Sequence, residues 1–234
     1  MPVNVEAHFV TLRLDDFLWF ASFEWAGDSE TAPFLHSFAL SLALGGRDRV
    51  LGGTVPQYEE DLNAISVYCT PGRLDGRFAF SQRPATRQAQ LGTSFTFNSV
   101  DEPTQLTQAL ALGEKVNDPK LGRRQVLVPG LRFEFVAFTR DDFRLPRVAR
   151  LGKKRSPVVI ERLERISGHR FRGDATPDHA VNPLDVKGRV TRYIPVAIPP
   201  HLIYERAEIE QDEFIRAGDR VVHVPERVRL WQSS

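Results

Sequence analysis

Val3 to Leu14 constrains the fold more than any other stretch. Val3, Val5, Ala7 and Phe9 lie on one parity, and Val10, Leu12 and Leu14 lie on the other. A strand apolar on both faces must be covered on both sides, so this segment reads as a central strand of a layered sheet. After it comes an aromatic cluster of Phe17, Trp19, Phe20, Phe23 and Trp25, closed by the turn-like Gly27–Asp28–Ser29. Thr31 is then placed to cap a helix, with Pro33 in its first turn, where a missing N–H costs nothing. Phe34, Leu35, Phe38 and Leu42 recur at helical spacing until Gly45–Gly46 ends the run.

Further along, Ile65–Cys69, Arg77–Phe80 and Ser94–Asn98 read as short strands, and Gln105–Leu112 as a short helix. Gln125–Val128 and Leu131–Phe138 read as two strands about the tight Pro129–Gly130 turn. Pro157–Ile166 follows a weak helical pattern, and Val190–Ile198 and Arg220–Val224 close the set of strands. Strand, helix, several strands, a short helix and more strands suit an α+β domain with a mostly antiparallel sheet. The ferredoxin-like, split βαβ arrangement is its natural candidate, and RNA-recognition modules share it.

Charge is distributed unevenly. Residues 120–172 hold fifteen Lys/Arg and five Asp/Glu, whereas residues 1–66 hold three and ten, although the whole chain carries only +1. Such a chain can neutralise phosphates with one region and dock on a basic neighbour with another. Cys69 is the one cysteine, so no disulfide forms within the chain and a reducing compartment suits it. Its strand context makes it a small buried hydrophobe. No run of about eighteen apolar residues and no signal-peptide pattern is present, which reads as a soluble, cytoplasmic protein of 234 residues in one domain.

The chemistry-bearing residues are mostly cations. Arg144, Arg147 and Arg150 recur at threes, and after Gly152 come Lys153, Lys154 and Arg155. Guanidinium forks grip phosphate oxygens in pairs, and a glycine lets the backbone approach a ligand. The competing reading is a basic loop that pairs with the acidic N-terminal region. Lys120, Arg123 and Arg124 form a second candidate, a loop feeding a strand. His36 reads by itself as a structural histidine. His169, Lys187 and Tyr193 make a candidate acid/base set for RNA cleavage. Glu59, Glu60 and Asp61 read as an acidic surface. No zinc spacing, phosphate-binding glycine loop or nucleophile elbow occurs, so no cofactor or metal is expected.

Several stretches resemble the Cas-five-type (Csc-one-like) subunit of type I-D CRISPR surveillance complexes, in the RAMP superfamily. They are Pro33–Phe–Leu–His36–Ser–Phe–Ala39–Leu40–Ser–Leu–Ala43–Leu44–Gly45, the Tyr68–Cys–Thr70–Pro71 strand end, Thr96–Phe–Asn98, and Leu145–Pro146 followed by Arg150–Leu–Gly152–Lys153. The resemblance runs from about residue 5 to 165, and nothing after Gly173 adds to it. The family's usual His-Asn-Tyr-Ala-Leu run reads His36–Ser37–Phe38–Ala39–Leu40 here, two polar groups fewer. The resemblance implies a single RAMP-like domain over 1–234, with a basic insertion around 115–172 in the form of a hairpin or thumb. It implies a non-catalytic subunit that grips the 5′ handle of the guide RNA and caps a filament of backbone subunits. Its neighbours would be a Cas-ten-like large subunit and a Cas-seven-like backbone subunit, with target DNA close by. The RNA contacts would be Arg147, Arg150, Lys153, Lys154 and Arg155, then Lys120, Arg123 and Arg124, with His36 from the helix motif. The alternatives are an endoribonuclease that trims guide precursors and a protein-only scaffold.

Overall fold

The computed structural model describes residues 4–25, 28–45, 58–75, 91–98 and 120–233. The expected strand Arg77–Phe80 and helix Gln105–Leu112 lie outside them. The first sheet is built on β1 (Val5–Leu14), flanked by β9 (Arg132–Arg140) and β11 (Ser156–Arg165), both antiparallel to it. β1 is therefore the interior strand its two apolar parities require. Beyond β11 lies β10 (Val148–Leu151). Beyond β9 lie β5 (Val67–Cys69), β6 (Gly72–Leu74) and the two-residue β4 (Phe34–Leu35). A second sheet holds β12 (His169–Ala175), β13 (Arg189–Val196), the fifteen-residue β14 (Ile203–Ala217) and β15 (Arg220–His223). A third holds β2 (Phe23–Trp25), β3 (Asp28–Glu30), β7 (Leu91–Asn98) and β8 (Lys120–Leu127). Its β3–β8 pairing is the parallel one; the rest are antiparallel. With only α1 (Ser37–Gly45), α2 (Tyr58–Ala64) and α3 (Glu226–Ser233) as α-helices among the described residues, the class is α+β with mostly antiparallel sheet.

Within the first sheet, β1 and β5 run parallel with β9 between them, and α1 and α2 make the crossover. β11 closes the other side of β1. The connection from β9 to β11 carries no helix; Asp141–Arg147 and β10 fill it.

Two local expectations change, and a third gains a detail. The helix begins at Ser37, not in the Thr31–Pro33 turn, because the Thr31 hydroxyl is engaged with the backbone of Phe20, accepting from its N–H (3.0 Å) and donating to its carbonyl (2.7 Å). His36 takes over the cap, its Nδ1 accepting the Phe38 N–H at 3.2 Å. The stretch expected as a helix over 157–166 is instead strand β11 up to Arg165, since its backbone completes the ladder beside β1. β8 and β9 are both strands, but the Pro129–Gly130 turn passes the chain from the third sheet to the first. Leu14 takes both backbone bonds there, donating to Leu131 O (2.9 Å) and accepting from Gly130 N (2.8 Å).

Leu12, Leu14, Leu40, Leu44, Phe133, Phe135 and Tyr68 form the main core with α1. Cys69 is buried among them, and burial pushes its thiol well above the usual range. The Ser41 hydroxyl ties α1 to β5 by accepting the Cys69 N–H at 2.9 Å. Val222, Val224, Val228 and Trp231 enter the same cluster, so β15 and α3 seat the C-terminal region on the first sheet. No helix among the described residues is long and apolar enough to cross a membrane.

Candidate nucleic-acid interface

The Arg/Lys run of 144–155 folds into the loop before β10 and the β10–β11 hairpin, at the outer edge of the first sheet. Its turn is held from below. Lys153 N–H donates to Trp19 O (2.9 Å), Ser156 Oγ donates to Phe17 O (2.5 Å), and Gly152 sits at φ +76°. A Cβ at Gly152 would stand 2.7 Å from Trp19 O, so only glycine fits the seat. Arg150 closes the turn by donating to Arg155 O at 3.1 Å. Lys153 leans over the Trp19 ring, 5.0 Å from its centroid, and pairs with Glu24 at 3.1 Å. One of the run's cations thus does meet the acidic N-terminal region. Arg144, Arg147, Lys154 and Arg155 are exposed, and their side chains have no protein partner among the described residues.

Lys120, Arg123 and Arg124 lie on β8, in the third sheet, where Arg123 stands opposite Phe95 and Arg124 opposite Ser94 and Ser29. They belong to a different sheet from the hairpin. The two are bridged by the Trp19 stretch of chain, whose indole N–H donates to Ser29 Oγ at 3.0 Å and whose neighbour Leu18 pairs with Leu127. His36 is 5% exposed, and its ring meets Phe38 and His201 edge-on at 4.9 and 4.6 Å. Burial, then the neighbouring His201, lowers its pKa to about 3, so it is a neutral interior cap.

The acid/base trio is not assembled. His169 stands opposite Arg216 at one end of β14, while Tyr193 stacks on Tyr204 near the other, ring centroids 3.9 Å apart. Twelve residues of strand separate those positions, roughly 30–40 Å. Lys187 pairs with Glu226. Among the described residues no group of three His, Cys, Asp or Glu is gathered for a metal. Asp61 of the acidic triplet is buried on α2 and Glu60 is exposed.

Two buried polar clusters escape sequence reading, because their members are scattered along the chain. In one, Tyr68 donates to Asp185 (2.7 Å), Asn182 donates to Tyr68 OH and Ser37 Oγ (3.2 Å each), and the Asn182 amide oxygen meets His201 Nε2 (2.8 Å). Burial lifts the Asp185 carboxyl to about 7. In the other, Asp212 accepts the N–H groups of Lys187 (3.0 Å) and Gly188 (2.9 Å) and is paired with His223 (3.1 Å) and Arg229. Burial disfavours its charge, but these partners outweigh burial and hold its pKa below the usual carboxylate range. Both clusters root the second sheet.

The model of the type I-D CRISPR-associated Cas5/Csc1 family matches residues 5–233. The chain belongs to that family. The match continues past Gly173, where sequence reading finds no resemblance, and so takes in the second sheet and α3. No curated protein matches the chain. A crystal structure of a CRISPR protein from Archaeoglobus fulgidus aligns with 95% of this Cas5/Csc1 chain and all of its own, at 10% identity and a TM-score of 0.38.

Proposed function

We propose that the chain is a non-catalytic subunit of a type I-D surveillance complex that holds the phosphates of the guide RNA's 5′ handle on the β10–β11 hairpin. One observation carries this reading: in a member of the Cas5/Csc1 family, Arg147, Lys154 and Arg155 share one rigidly seated hairpin and meet no carboxylate among the described residues of their own chain. Forked and point cations free of internal partners are what a polyanion needs. Lys153 contributes charge while anchored on Trp19 and Glu24, and Arg150 braces the turn. Lys120, Arg123 and Arg124 extend the path along β8.

The ferredoxin-like, RAMP-type reading belongs to the same proposal. It is supported by the order β11, β1, β9, β5 with a helical crossover between β1 and β5. Residues 1–234 then make one such domain, seated in the cytoplasm beside a Cas-ten-like and a Cas-seven-like subunit, where base pairing by the guide reads the target DNA.

Charge reversal of Arg147, Lys154 and Arg155 together tests it in a filter-binding salt series with handle RNA. Affinity falls, and the log–log salt slope becomes shallower by about 0.7 for each phosphate no longer neutralised. Unchanged affinity and slope would overturn the proposal. Specific cleavage of repeat RNA on a denaturing gel, abolished by His169→Ala, would overturn its non-catalytic part. Purified protein that carries no nucleic acid and binds none would leave the scaffold reading in its place.

A further inference from the structure

A cleft of about 210 Å³ opens between the face of the first sheet and the second sheet's β14–β15 turn and 178–179 segment. It lies well away from the hairpin. Arg162, on its rim, is seven residues along β11 from Arg155, about 23 Å in an extended strand. Sequence reading gives no hint of it, since its walls come from β1, β6, β9, β11 and the second sheet.

Its lining has an aromatic platform and an unusual polar rim. The Phe9 ring is half-buried, with the Arg220 guanidinium 4.4 Å from its centroid. Arg220 follows Gly218 and Asp219 in an exposed turn, so its side chain is free to lift and re-cover a second ring laid on Phe9. On the rim, Arg162 and Glu164 pair with each other at 2.6 Å, and Asp178 accepts the Val221 N–H. Arg73 and Glu134 behave differently. They stand opposite each other in the β6–β9 ladder, yet neither has an ion pair or hydrogen bond through its side chain among the described residues. They offer a donor fork and a carboxylate side by side at the cleft's edge.

The ligand class follows from charge and shape. Three arginines face four carboxylates across this lining, so a polyphosphate is not favoured. His179 adds no charge. It is buried, its pKa is lowered to about 3 chiefly by that burial, and both ring nitrogens are occupied by Ala180 O and His223 N. A flat, uncharged ring with donors and acceptors on its perimeter suits what remains. A nucleobase has that form, and unpaired bases in RNA are held by stacking on aromatic and guanidinium planes. Among the bases, guanine presents the acceptors N7 and O6 to an arginine fork, and next to them the donors N1–H and N2–H₂ to a carboxylate.

We infer that this cleft binds one unpaired guanine of a single-stranded RNA, stacked on Phe9 and covered by Arg220, with Arg73 and Glu134 reading its edge. The inference rests on the RNA-binding reading above and assigns a second, base-reading site to the same chain.

Fluorescence anisotropy with the full chain tests it, using a seven-uridine RNA and the same RNA with guanine or adenine at its centre. The guanine RNA binds roughly tenfold tighter than the other two. Glu134→Gln, which keeps the shape of the side chain, removes that preference, and Arg220→Ala weakens it. Phe9→Leu keeps the apolar volume, loses the stack and lowers the preference, while an unchanged melting temperature shows the fold intact. Lys154→Glu with Arg155→Glu weakens all three RNAs in parallel and preserves the ratio. Equal affinity of the wild type for the three RNAs, a preference shared by adenine, or a guanine preference that survives Glu134→Gln overturns the base site and leaves the hairpin reading standing. If no RNA binds, the hairpin reading falls, and calorimetric titration with guanosine decides the cleft alone. Heat seen with wild type and lost in Glu134→Gln supports it; no heat overturns it.

Discussion

On β13, Arg189 and Arg192 stand opposite Glu210 and Glu208 and pair with them, at 2.6 and 3.5 Å. On the β10–β11 hairpin, Arg147, Lys154 and Arg155 have no such partner among the described residues. Both regions are exposed, both are two-stranded ribbons at a sheet margin, and both carry arginines on or beside the edge strand. The difference is the facing strand. β14 supplies a glutamate across from each arginine, whereas Lys154 and Arg155 lie in the turn, Arg147 precedes β10, and β11 places Ser156 to Val159 opposite β10 itself. Cation density alone therefore does not mark a polyanion site; the cross-strand neighbour decides whether a cation is already satisfied. The roots differ as well. The hairpin is seated by bonds to the backbone of Phe17 and Trp19, and the ribbon by the buried Asp212 cluster.

The largest effect expected is at that second root. Asp212→Ala removes the acceptor of the Lys187 and Gly188 N–H groups and the buried carboxylate that His223 and Arg229 share, and costs roughly 3–5 kcal/mol in urea unfolding. A loss below about 1 kcal/mol would mean that the ribbon is held elsewhere. Acid comes next. His36 and His179 have folded pKa values near 3 against 6.5 unfolded, so the unfolded state binds more protons between those values and stability falls as pH drops through that window. Asp185, lifted to about 7, works in the opposite direction, adding stability as pH drops from 7 to 4. At about 1.4 kcal/mol per pH unit for each group, the net loss is on the order of 3 kcal/mol by pH 4. Hydrogen exchange corrected for intrinsic rates checks the contrast: amides of β14 and β15 lose protection before those of β10 and β11.

Smaller effects separate the two ribbons in binding. Lys154→Glu with Arg155→Glu raises the RNA Kd about 10–100-fold at moderate salt, whereas Arg189→Glu with Arg192→Glu shifts it by about twofold at most. Equal effects from both pairs would erase the difference between hairpin and ribbon. The smallest change sharpens it. Glu208→Gln with Glu210→Gln costs under about 0.5 kcal/mol per pair in stability, because both pairs are exposed, and the released arginines raise RNA affinity by about twofold.

β1 and β9 were legible in the sequence because β1 is apolar on both parities and the Pro129–Gly130 turn marks the start of β9. Legibility failed where local pattern and tertiary pairing disagree. In 157–166, Val158 and Ile160 are core residues and Glu161 to Arg165 are exposed, so half the strand follows no period-two pattern. β14 was missed altogether. Its buried Ile203, Ala207, Ile209 and Phe214 are spaced unevenly by irregular pairing, and the intervening Glu and Arg mask the strand. The cations of the candidate interface were visible, but not their freedom, which depends on what the fold sets across from them. Nothing in the local sequence marks Asp185 and Asp212 as buried, and the Phe9–Arg73–Glu134–Arg220 cleft joins residues too far apart to form any motif.

Cys69 has a practical consequence. The chain's sole thiol is sealed beneath α1 and resists ionisation, so it is a poor target for maleimide dyes. Cysteines introduced at the hairpin tip and on the ribbon would be the reactive pair in an otherwise native background. Energy transfer between dyes at those two positions would then report, one molecule at a time, how the two ribbons move when RNA is added.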